Sequence, residues 1–153
     1  MRVDGALRGI VVPAGHPLLA EPHVSLEALA RYPLITYDPA FAGRTNIDEA
    51  FAARDLHPDI VLAAIDSDVI KTYVELGLGV GIIAAMAFDP ARDQKLRMLD
   101  ASSLFRTNTT RVALLRSRRL RSFTFAFIAL FAPHLSRQVV EKAISGVEES
   151  YEL

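Results

Sequence analysis

Residues 60–88, IVLAAIDSDVIKTYVELGLGVGIIAAMAF, constrain the fold more than any other part of the chain. Residues 60–65 form an unbroken apolar run with β-branched members, of strand length and suited to burial on both faces. Asp66, Ser67 and Asp68 follow, and their short oxygen-bearing side chains cap helices. In residues 67–76 the apolar positions recur at three- and four-residue spacing. That spacing turns Val69, Ile70, Tyr73, Val74 and Leu76 inward and leaves Lys71, Thr72 and Glu75 wet. Gly77 stands where a helix ends in a left-handed residue, and Gly79 and Gly81 let the chain turn tightly into a second apolar run, residues 80–83. The pattern predicts strand, helix, glycine turn, strand. A phosphate-binding glycine loop follows a strand and opens a helix, whereas these glycines follow a helix and open a strand, so a dinucleotide site is excluded on context.

Elsewhere the signals are shorter. Gly9 to Val12 read as a strand stopped by Pro13, Gly15 and Pro17, while residues 1–6 match no pattern. Ser25 is placed to cap a helix over residues 26–31, and residues 34–37 extend as the next strand. Thr45-Asn46-Ile47-Asp48 resembles a capping box, opening a helix whose buried stripe is Ile47, Ala50 and Phe51. Residues 96–99 and 109–115 are strand candidates. Residues 122–132 are apolar nearly all round and require cover on most sides, and Ser136 caps a last helix with Val139, Val140, Ala143, Ile144 and Val147 along one face. Strands alternating with helices make this an α/β chain with a largely parallel sheet.

A chain of 153 residues, 51% hydrophobic, builds one real core or covers its surplus with a partner. Seventeen basic and eighteen acidic side chains nearly cancel, which removes any general pull toward nucleic acid or anionic membrane. The lack of cysteine excludes disulfides, thiolate chemistry and cysteine-held metals. No stretch is long and apolar enough to span a bilayer, and the N-terminus makes a poor secretory signal, so the expected location is the cytoplasm. His16, His23, His57 and His134 each adjoin a proline in separate turns without metal spacing, and no Gly-x-Ser-x-Gly elbow occurs. The sequence thus points to no catalytic residue, no metal and no cofactor.

The best candidate site is the loop from Thr36 to Thr45, which runs from a strand end to a helix N-terminus. Unpaired amides and the helix dipole favour an anion there. Gly43 permits close backbone approach, Arg44 adds charge, and Thr36 and Thr45 add hydroxyls. The competing explanation is that Thr45 caps its helix and Arg44 is solvated. Asp66 and Asp68 either face a cleft or cap the helix after them. The basic cluster Arg111, Arg116, Arg118, Arg119 and Arg121 either meets a polyanion or forms a solvated turn.

Three stretches carry a family resemblance: Tyr32 to Tyr37 with Phe41-x-Gly43-Arg44; DSDVIKTYV-x-LGLGVGIIA over residues 66–84; and Phe131-Ala132-Pro133-His134-Leu135. The chain resembles the effector-binding domain of LysR-type transcriptional regulators, and the lead-in to the glycine turn resembles their CysB-like branch. The resemblance covers roughly residues 8–144. It implies a periplasmic-binding-protein-like (type 2) fold, two α/β lobes with an effector cleft between them. Residues 7–106 would be the second lobe, residues 107–150 the return segment of the first, and residues 1–6 and 151–153 tails. The DNA-binding domain and the opening half of the first lobe would then be missing, and the chain a fragment or truncated product that reaches DNA only through an absent domain.

The resemblance further implies a homo-oligomer that senses sulfate, thiosulfate or an acetylserine-like ligand through Thr36, Phe41, Ala42, Gly43, Arg44 and Thr45, in the service of sulfur assimilation. Where the family has a threonine before the Gly-Arg pair, this chain has Ala42, which loses a hydroxyl contact but keeps the amides. Two rivals stand beside this expectation: a solute-binding protein of a transporter, and an assembly module that associates through residues 122–132.

Overall fold

A computed structural model describes residues 2–115 and 120–145. The chain divides into two compact units, Gly5–Asn108 and a smaller one of Thr109–Leu153 together with Met1–Asp4.

The larger unit is built on five strands: β2 (Arg8–Pro13), β3 (Leu34–Tyr37), β4 (Ile60–Ala64), β5 (Val80–Ala84) and β6 (Leu96–Asp100), in spatial order β4-β3-β5-β2-β6. A preceding strand, β1 (Arg2–Ala6), pairs separately with β7 (Asn108–Arg111). β3 runs parallel to both β4 and β5, but β2 is antiparallel to β5 and to β6. The sheet is therefore mixed, not largely parallel as the alternation of strands and helices suggested. Side-chain periodicity fixes which face a residue takes and carries nothing about strand direction, which the connections decide.

Helices cover both faces. On one, α1 (Leu26–Leu29) and α2 (Ala42–Ala52) bury Leu26, Leu29, Ile47 and Phe51 against Ile10, Val12, Leu34, Val80 and Ile82. On the other, α3 (Ser67–Glu75) lays Ile70 and Val74 on Val11, Ile35, Ala64, Ile83 and Leu96. Alternate residues of one strand thus feed two cores, which is why β5, and β2 after its leading Arg8, are apolar. Ser25 caps α1 through the Ala28 amide, and short 3-10 turns, unsignalled in the sequence, occupy Pro17–Ala20 and Ala85–Ala87.

The unit over residues 60–88 folds as strand, helix, turn, strand, with two corrections. β4 lies at the edge of the sheet and is only half covered: Val61 is 47% exposed and Ile65 72%. An apolar run reads the same whether it is central or marginal. On α3, Lys71 is buried, whereas Val69, Tyr73 and Leu76 are exposed. Gly77 does end the helix at φ +81°, and a Cβ on Gly79 would stand 2.4 Å from the Pro33 carbonyl oxygen, so that glycine is needed for the close crossing of the turn over the start of β3.

In the smaller unit, α4 (Ser122–Phe131) and α5 (Arg137–Ser145) pack Ile128, Ala132, Leu135 and Val140 together. Val139 turns out to be more than a third exposed, and Val147, expected on the α5 face, lies outside the described residues, as do Arg116, Arg118 and Arg119 of the basic cluster. The strand expected over 109–115 is confined to β7, Asn108–Arg111. The cover that α4 requires is supplied on one side only, since Phe123, Phe127, Leu130 and Phe131 are all exposed.

Candidate functional site

β3, β4 and β5 end together, and β2, running the other way, begins beside them: Arg8, its first residue, pairs with Ala84, the last of β5. The loops that leave β3 for α2 and β4 for α3 therefore open at one end of the sheet. In open α/β sheets this carboxyl end is where backbone amides and helix N-termini converge on a ligand.

The first loop differs from the sequence expectation in its helix start. α2 begins at Ala42, so Thr45 is an exposed residue inside the helix and the capping box does not form. Phe41 takes the N-cap position in extended conformation, and its side chain caps nothing. No acidic residue occupies the first turn, and Gly43 is buried. Uncapped amides and an uncompensated dipole make this N-terminus attractive to an anion. α3, by contrast, is closed: the Val69 amide donates to Asp66 Oδ1 at 2.9 Å.

Arg44 is neither solvated nor idle. Its Nη1 donates to the Tyr37 carbonyl oxygen at 3.1 Å and its Nε to Asp48 Oδ1 at 2.7 Å, which ties the first turn of α2 back to the end of β3. Asp38 shapes the turn between them by accepting the Ala40 amide at 2.9 Å. The Thr36 hydroxyl, expected to be available, is fully buried and donates to the Ile82 carbonyl at 3.2 Å, so it braces β3 on β5. Tyr37 closes this end of the sheet: its hydroxyl accepts the Ala84 amide at 3.0 Å and lies 2.7 Å from the Ser67 hydroxyl.

Two basic residues escaped the sequence reading. Arg8 is 3% exposed, with its guanidinium carbon 5.6 Å from the centre of the Tyr37 ring. Burial draws its pKa down, and the facing Tyr37 offsets that only in part. An arginine at the head of an apolar strand was the available signal. Lys71 donates to the Ala87 carbonyl and to Asp93 Oδ2, each at 3.0 Å, and pairs with Asp68 at 3.0 Å. It locks α3 to the segment after β5. A shallow groove along α3 is lined by Asp66, Asp68, Val69, Thr72, Tyr73 and Leu76. Among the described residues no cluster of three or more histidine, aspartate or glutamate side chains could hold a metal ion.

The first turn of α2 thus presents amides that no side chain caps, beside an Arg44 already held by Asp48 and the Tyr37 carbonyl. A family model, LysR substrate binding domain, matches residues 8–136. The chain belongs to this family. It is 59% identical over 143 residues to the HTH-type transcriptional regulator CysB of Burkholderia cenocepacia, covering 94% of this chain and 46% of that protein. To the HTH-type transcriptional regulator SsuR of the same organism it is 54% identical, covering 90% of this chain and 44% of SsuR. It thus lies among the CysB-like members, and it spans about half the length of these relatives. They are transcriptional regulators and not enzymes.

The cofactor-binding domain of the Cbl transcriptional regulator superposes with a TM-score of 0.85 at 38% identity, over 95% of this chain and 63% of that one. The effector-binding domain of QuiR, solved with shikimate, shares the fold at a TM-score of 0.66 and 17% identity, over 88% of this chain and 63% of that one. The LysR effector-domain fold, periplasmic-binding-protein-like, is thereby established for this LysR-family chain. No helix among the described residues is long and apolar enough to cross a membrane.

Proposed function

We propose that this chain is the effector-sensing part of a cytoplasmic LysR-type regulator of sulfur assimilation, with residues 7–106 as the second lobe and residues 107–150 as the return segment of the first. The effector is a small anion, sulfate or thiosulfate, or an acetylserine-like molecule. It sits at the start of α2, against Phe41 and the amides of Ala42 and Gly43, while Thr36 and Arg44 hold the loop in place and Thr45 lies one turn along. The observation that carries this reading is the N-terminus of α2, uncapped by any side chain and set at the carboxyl end of the strands beside a buried glycine. The sulfur-related relatives support the ligand class.

Sensing is a population shift. A ligand that binds one lobe arrangement better than another moves their equilibrium by its differential affinity, and an oligomer passes the change to DNA-binding segments in the part of the regulator this chain does not span. The test is an amide-shift titration of the isotope-labelled chain with sodium sulfate, sodium thiosulfate and acetylserine, each against sodium chloride at matched ionic strength. Saturable shifts at Ala42, Gly43 and Arg44 are expected. Shifts scattered over the surface, or equal in chloride, overturn the reading.

A second reading, an assembly module, is favoured by α4, where Phe127 is 65% and Leu130 85% exposed. A tight oligomer whose stability ignores all three ligands would select it.

A further inference from the structure

A charged side chain removed from water is normally paired, because an unpaired one forfeits its hydration for nothing. Arg8 breaks that rule. It is 3% exposed, and its Nε and Nη2 are buried without a hydrogen-bond partner. What faces the guanidinium is the ring of Tyr37, an attraction too weak to replace a lost hydration shell. The two nitrogens are not an arbitrary pair. Nε–H and one N–H of Nη2 leave the guanidinium along the same edge, parallel to one another, and form the fork that meets two oxygens of a carboxylate or sulfate at once.

The position of Arg8 gives this fork a context. As the first residue of β2 it pairs with Ala84, the last residue of β5, at the carboxyl end of the parallel strands. By strand alternation its Cβ shares the face of Ile10 and Val12, while the Tyr37 ring that its guanidinium meets packs with Ile35, Ile70 and Ile83 on the α3 side. Tyr37 links the two basic groups of this end: its ring meets Arg8, and its carbonyl is held by Arg44 from the first turn of α2. Arg44 has both of its partners, whereas the fork of Arg8 has none.

We propose that Arg8 is an effector-binding residue whose Nε–Nη2 edge takes an oxyanion of the ligand, a carboxylate or a sulfate-type group, at the carboxyl end of the sheet. The assignment rests on the reading that this end of the sheet is the effector site.

The experiment compares the wild-type chain with Arg8→Met and Arg8→Lys, by thermal unfolding and by the same amide titration, using sodium acetate and sodium sulfate as separate probes against matched chloride. Arg8→Met removes an unpaired buried charge, so its unfolding midpoint without ligand should equal or exceed that of the wild type, while its affinity for the stronger probe falls at least about tenfold. Arg8→Lys keeps the charge without the fork and should lose affinity to a similar degree. Whichever probe binds more tightly in the wild type tells the planar from the tetrahedral oxyanion. Wild-type affinity retained in either variant, with the α2 amides still responding, overturns the Arg8 assignment alone. A lower midpoint for Arg8→Met with binding intact makes Arg8 a packing residue and likewise overturns it. No response of the wild type to either probe overturns both the assignment and the reading beneath it.

Discussion

The Lys71 ammonium lies 3.0 Å from the Asp93 carboxylate, and both side chains are almost wholly withdrawn from solvent. The same oxygen, Asp93 Oδ2, also accepts the Asp89 amide at 2.9 Å, so the pair fixes the segment after β5 onto α3. Lys71→Met leaves the Asp93 carboxylate buried without its cation and should cost on the order of 3 kcal/mol of stability. Adding Asp93→Asn should recover part of that loss, because the stranded charge disappears. Chemical denaturation of the single and double variants measures both effects.

The same pair sets a pH window. Burial alone would depress the Lys71 pKa, but Asp68 and Asp93 outweigh it and hold the ammonium above its ordinary value of 10.5. Burial would likewise raise Asp93, yet the Asp89 amide and Lys71 hold it below its ordinary 3.8. A raised lysine stabilises fully below its unfolded value and loses that contribution as pH rises through the folded one. A depressed carboxylate stabilises above its unfolded value and loses its contribution as pH falls through the folded one. The midpoint difference between wild type and Lys71→Met should therefore be flat from about pH 5 to pH 9 and should shrink at both extremes. A difference that varies across the neutral range would contradict the pairing.

Gly77 and Gly79 should respond very differently to alanine. At Gly77 nothing lies within 4 Å of a new Cβ, and only the positive φ resists, at about 1 kcal/mol. At Gly79 the Cβ would meet the Pro33 carbonyl oxygen at 2.4 Å, a backbone atom that cannot step aside without shifting β3. Gly79→Ala should lose at least about 2 kcal/mol, or fail to fold. Equal unfolding midpoints for the two variants would rule out the close crossing.

Thr36→Val keeps the shape of the side chain and deletes its hydrogen bond to Ile82, leaving a buried carbonyl short of a partner. The expected loss is about 1–2 kcal/mol of stability. Because the hydroxyl is spent inside the sheet, the amide shifts of Ala42 and Gly43 with sulfate should be unchanged. Loss of those shifts in a folded Thr36→Val chain would return the hydroxyl to the ligand.

Much of this molecule was legible in its residues, for physical reasons that are local. The helix over residues 67–76 followed from a capping aspartate, a 3.6-residue period and a terminating glycine, all of which act within one or two turns. The same locality explains the errors. Thr45 resembles a cap, but the cap position of α2 is Phe41, four residues earlier, and Arg44 ties that first turn to the Tyr37 carbonyl, a contact invisible to spacing. Residues 60–65 are apolar enough for a central strand, and only the strand order puts them at the edge.

The sequence by itself determined the periodic elements, the neutral charge balance and the absence of thiol chemistry. Tertiary structure alone decided the direction of β2, the burial of Lys71 beside Asp93, and the placing of Arg8 over Tyr37 with its fork unpaired. Helix caps and side-chain period depend on neighbours a few residues away. Strand direction and the partner of a buried charge depend on residues 22 to 29 positions off in the cases of Lys71 with Asp93 and Arg8 with Tyr37, and chain folding alone brings those together.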